Sequence, residues 1–92
     1  MPKYFPFKVA DHYLYFTAEC IVEAMHVHAS DRKLTEVSSA KFFVRADGSS
    51  VLQKRGNLTE KEITTIEKFI SQNYKDMYKM WKDFGGKDFY RK

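Results

Sequence analysis

The chain is patterned with two periods. From His12 to Thr17 aromatic residues crowd a short run flanked by polar positions, and Phe5 to Val9 precedes it as a candidate partner strand across an Ala10-Asp11 turn. Met25 to Ala29 alternates, with Met25, Val27 and Ala29 on one side and His26 and His28 on the other, because side chains on a strand repeat every two residues. Ser39 to Arg45 alternates again, setting Ala40, Phe42 and Val44 against Lys41, Phe43 and Arg45. Asp47-Gly48 then offers residues that tolerate positive φ before Val51 to Lys54, which predicts a hairpin.

Beyond residue 58 the period changes to that of a helix. Thr59-Glu60-Lys61-Glu62 is a capping box, in which the Thr59 hydroxyl can accept from the Glu62 amide while the Glu62 carboxylate reaches back to the Thr59 amide. Ile63, Ile66, Phe69, Ile70, Met77, Trp81 and Phe84 follow at steps of three, four or seven, and Gly85-Gly86 supplies the stop. A helix of that length spans about 38 Å, more than a small sheet covers, so a break or bend is expected near Asn73. These faces predict an α+β domain: an antiparallel sheet of four or five strands, its Val27, Phe42 and Val44 side under the C-terminal helix. The opposite face, with His26, His28, Lys41, Phe43 and Arg45, is expected to look outward.

Composition narrows the class. Ninety-two residues, with eight Phe, six Tyr and one Trp, suffice for one core and not for two. No repeat or linker interrupts the chain, so residues 1–84 read as a single domain and residues 85–92 as a basic, aromatic C-terminal tail. The lone Cys20 cannot close an intramolecular disulfide, and no apolar run reaches the ~18 residues of a membrane span. A reduced, cytoplasmic setting without a membrane partner is expected, and no cofactor is called for. The net charge of +4 is concentrated in the C-terminal region, where Lys75, Lys79, Lys82, Lys87, Arg91 and Lys92 face only Asp76, Asp83 and Asp88. That excess permits a nucleic acid without demanding one.

The run Glu23-Ala24-Met25-His26-Val27-His28 resembles the Glu-Pro-Pro-His-Val-His signature of the bacterial family called domain of unknown function 4160. Tyr13 to Phe16 is similar to its preceding aromatic strand, and Ala40-Lys41-Phe42-Phe43 to its Ala-Lys-Phe-Trp segment. Gly56, Leu58-Thr59 and Glu62-Ile63 resemble its helix start, and Trp81, Phe84 and Gly85 its closing residues. The family's two prolines are Ala24 and Met25 here, and a Glu expected upstream falls on Cys20. The resemblance implies no established activity; its members look like small proteins encoded beside another short protein, some labelled toxin–antitoxin components.

Three chemical readings of the histidine strand stay open. His26, His28 and Lys41 supply what metal-independent phosphodiester cleavage needs: an imidazole base, an imidazolium acid and a cation for the phosphorane, with Phe43 and Arg45 beside them to stack and hold a single-stranded RNA. Alternatively, His26 and His28 are two imidazoles for one metal ion, with Glu23 as a third ligand and His12 or Cys20 as a fourth. A solvated histidine pair with no site is the third. No Ser-His-Asp order, phosphate-cradling glycine loop or acidic dyad is present. The leading functional expectation is therefore a binding or regulatory module acting through a protein partner, with an RNA-binding protein or small ribonuclease as the alternative.

Overall fold

The computed structural model describes residues 3–17, 20–31 and 39–91. Four antiparallel strands, β1 (Tyr13–Tyr15), β2 (His26–Ser30), β3 (Ala40–Val44) and β4 (Ser50–Lys54), form one sheet in the order β1-β2-β3-β4, followed by α1 (Glu60–Asp83). A short 3-10 turn, Cys20–Val22, lies between β1 and β2. No helix among the described residues is long and apolar enough to cross a membrane.

The backbone of the N-terminal segment pairs at isolated bridges, Lys3 with Tyr15 and Val9 with His12. The expected strand over Phe5 to Val9 does not form, and Pro6, which has no amide to donate, lies within it. The Ala10-Asp11 turn is present, with φ of 50° and 62°, the left-handed pair of a tight hairpin turn. The Asp47-Gly48 hairpin forms as expected: Gly48 sits at φ 89° and the Asp47 carboxylate accepts from the Ser49 amide at 2.9 Å.

Register puts Val27 opposite Phe42, and both are buried with Leu14, Ala29 and Val44 against Ile66, Ile70, Met77 and Trp81 of α1. This is the face assignment that the strand alternation and the helical stripe require together. The helix starts where its capping box places it: the Glu62 amide donates to the Thr59 hydroxyl at 3.2 Å and the Thr59 amide to the Glu62 carboxylate at 2.9 Å.

The expected break near Asn73 is absent. Asn73 bonds back within the helix, its side-chain amide donating to the Phe69 carbonyl at 2.9 Å. The C-terminal half needs no longer sheet because the chain doubles back along it. Gly85, at φ 86°, donates to the Lys82 carbonyl and Gly86 to that of Trp81, which is the paired bonding of a Schellman stop. Gly86 then runs so close to Trp81 that a Cβ built on it would lie 2.3 Å from the indole. Beyond it, Phe89 stacks on Tyr78 with centroids 3.8 Å apart, while the Tyr90 amide donates to the Val44 carbonyl and the Met25 amide to that of Asp88. Residues 86–90 thus run between the end of the helix and the end of the inner strands β2 and β3.

Candidate functional site

β2 is the second strand of the sheet, hydrogen-bonded on both sides, so its side chains must go to one face or the other. Val27 and Ala29 enter the helix-side core, and His26 and His28 share the opposite face, as the alternation predicts. That face does not look outward. His26 is 0% exposed, His28 4% and Phe43 8%. The correction has a physical cause that strand periodicity cannot register: segments distant in sequence close over the face. Tyr90 stacks on Phe43 with centroids 4.2 Å apart, Trp81 stands edge-on to His26 at 5.4 Å, and Tyr15 tilts against His28 at 5.6 Å. Phe43 therefore offers no free ring to a nucleic-acid base.

The two imidazoles do converge, edge to face with centroids 5.1 Å apart. Lys41, beside His28 in the register, is engaged elsewhere: its ammonium donates to both carboxylate oxygens of Glu23 at 3.0 and 3.1 Å. The same pairing turns Glu23 toward Lys41. Arg45, just past β3, donates to the Ser49 hydroxyl at 3.4 Å in the hairpin turn. His12 lies at the other end of the molecule, beside a small pocket of about 50 Å³ that includes Ser30 and Asn57, with its Nδ1 3.8 Å from the Glu62 carboxylate.

The residue that joins the histidines is Cys20. Its sulfur and one ring nitrogen from each of His26 and His28 lie within 4.8 Å of one another, and all three side chains are buried. Three neighbours fix this cluster. The Thr17 amide donates to Cys20 Sγ at 3.3 Å, with the Thr17 hydroxyl 3.2 Å from the same atom. His26 Nδ1 lies 2.9 Å from the Ala24 carbonyl, which can only accept, so Nδ1 carries the proton and Nε2 the lone pair. His28 Nδ1 is 3.2 Å from the Ser39 hydroxyl. Tyr4 donates to the His26 carbonyl at 2.9 Å, and burial first, then the proximity of Cys20, raises its hydroxyl well above the ordinary phenol range. Thr17, Ser39, Trp81 and Tyr90 carry no sequence signal for these contacts, since each acts across a fold-dependent gap.

At the surface the tail is held by Asp88. Its carboxylate accepts from Arg91 at 2.7 Å, from the Phe89 amide at 2.9 Å and from the Tyr78 hydroxyl at 2.9 Å, contacts that bring its pKa down from 3.8 to about 2. Beside it a shallow groove of about 350 Å³ opens between Ala24 and residues 87–91.

No curated protein and no solved structure matches the chain. The model of the domain of unknown function DUF4160 matches residues 12–82, a span that includes the whole sheet, the Cys20–Val22 turn and nearly all of α1. The chain belongs to the DUF4160 family.

Proposed function

We propose that this domain is a binding or regulatory module that engages a protein partner, as one half of a toxin–antitoxin-like pair, and that it is not a ribonuclease. The observation that carries the reading is the burial of the phosphodiester-cleaving set that the sequence suggests: His26 and His28 are buried and the Lys41 ammonium is paired with Glu23. A general acid and base must come within hydrogen-bond reach of the reacting atoms, and imidazoles 0% and 4% exposed do not offer that reach. The groove between Ala24 and the tail, by contrast, is accessible. It is lined by Phe89, Tyr90, Lys87 and the Asp88–Arg91 ion pair, which suits an extended segment with apolar and acidic side chains.

The test uses Ala24→Glu, which fills the groove against residues 87–91 and places a like charge before an acidic segment. Wild-type protein should co-purify from its native cells with a partner at fixed stoichiometry, the purified pair should re-form in vitro, and Ala24→Glu should weaken re-formation at least tenfold while keeping the wild-type thermal transition. Unchanged assembly by Ala24→Glu would remove the groove from the reading. Cleavage of a short single-stranded RNA by the purified protein, lost in His28→Ala, would overturn the reading in favour of an enzyme.

A further inference from the structure

We infer that Cys20, His26 and His28 form a binding site for a single thiophilic divalent cation, Zn²⁺ by its chemistry, which fastens the Cys20–Val22 turn onto β2. The inference does not depend on the partner reading, although Ala24 borders both the groove and the histidine cluster.

The donor set is the first argument. One sulfur and two imidazole nitrogens meet within 4.8 Å, whereas donors on a tetrahedral zinc with bonds of about 2.0 to 2.3 Å stand about 3.3 to 3.6 Å apart. Closing the widest pair takes about 1.2 to 1.5 Å, shared between the two donors by small χ rotations. Thiolate with imidazole selects zinc over magnesium or calcium, which take oxygen ligands. Three protein donors leave the fourth position to a water or an added ligand.

The second argument is the orientation of the donors. In metal sites the non-ligating imidazole nitrogen is commonly tied to a carbonyl, carboxylate or water, fixing the tautomer that presents the other lone pair. His26 meets this requirement through Nδ1 and the Ala24 carbonyl. His28 is oriented through Nδ1 by Ser39, and Cys20 Sγ receives the Thr17 amide, a donor that favours the thiolate form a metal requires. Glu23, named with the histidines from sequence as a third ligand, is instead paired with Lys41, and Cys20 stands in its place.

The third argument is topological. Cys20 lies six residues before His26, on a turn that none of the strand pairings holds to the sheet. A metal ion across the three side chains would join that turn to the strand, so binding would stabilise the folded state by an amount that grows with the logarithm of the free metal concentration above Kd.

The experiment titrates chelator-stripped, reduced full-length protein with Co²⁺ and then Zn²⁺. Cys20 is the sole cysteine, so a near-ultraviolet thiolate-to-cobalt band would belong to it alone. The expected result is that band saturating at one cobalt per chain, with tetrahedral visible absorption, displacement by Zn²⁺, and a Zn²⁺-dependent rise in Tm that Mg²⁺ does not produce. Cys20→Ser should abolish the near-ultraviolet band, and Cys20→Ser and His28→Asn should each lower zinc affinity at least about 100-fold, their folds checked by circular dichroism. Should either variant fail to fold, protection of the wild-type thiol from alkylation by stoichiometric Zn²⁺ supplies the same answer. A wild-type cobalt complex without the sulfur band, unprotected alkylation, or equal zinc binding by wild type and folded Cys20→Ser would overturn the assignment.

Discussion

The two faces of the sheet are both buried, yet they are built in opposite ways. On one, Val27, Phe42 and Val44 meet a single amphipathic helix, and every contact follows from the pairing of a period-two strand with a period-3.6 helix. On the other, His26, His28 and Phe43 are closed by a patchwork: the Cys20 turn, Trp81 from the end of α1 and Tyr90 from the tail. The first face is apolar and resembles an ordinary core. The second holds two imidazoles and a thiol out of water, where polar groups must be paired to offset their desolvation. Burial alone therefore does not distinguish the two faces; the chemistry of what is buried does.

The comparison can be broken most forcefully at the helix face. Val27→Asp places a carboxylate among Phe42, Ile66 and Met77, and an uncompensated charge there costs several kcal/mol against a total stability of about 5 to 15. The expected outcome is loss of the cooperative thermal transition, and a transition unchanged from wild type would show that the helix does not cover this face.

The histidine face sharpens the contrast. Were His26 and His28 outward, replacing both with Ala would cost no more than about 0.5 kcal/mol; closed in as they are, the double variant should lose about 2 to 4 kcal/mol through lost packing and hydrogen bonds to Ala24 and Ser39. Chemical denaturation of metal-free protein measures this directly. A loss under 0.5 kcal/mol would restore the outward reading of the strand.

The smallest effect is expected at the tail that completes the second face. Asp88 has its folded pKa lowered to about 2 by Arg91, the Phe89 amide and Tyr78, so its contribution is fully present above pH 4 and is lost as pH falls toward 2. Tail contacts should loosen over that window before the core melts, seen as a change in tyrosine fluorescence while far-ultraviolet dichroism holds. Asp88→Asn should remove most of that pH dependence. An identical acid titration in Asp88→Asn would show that this carboxylate does not hold the tail.

Local pattern by itself determined much of this protein. The strand phases of His26–Ser30 and Ala40–Val44, the Asp47-Gly48 hairpin, the Thr59 cap, the apolar stripe of α1 and its glycine stop are all written in residues near one another in sequence, where propensity, capping and periodicity act over a few positions. The sharing of one face by His26 and His28 was legible for the same reason. Only the tertiary structure decided that this face is closed, that Cys20 completes the histidine pair while Glu23 turns to Lys41, and that the helix runs straight through Asn73. The closure depends on Trp81 and Tyr90 reaching His26 and Phe43 from dozens of residues away, and the other two outcomes on which of several possible partners each side chain meets once the chain is folded. Alternation assigns a side chain to a face, but it carries no information about which distant part of the chain will cover that face.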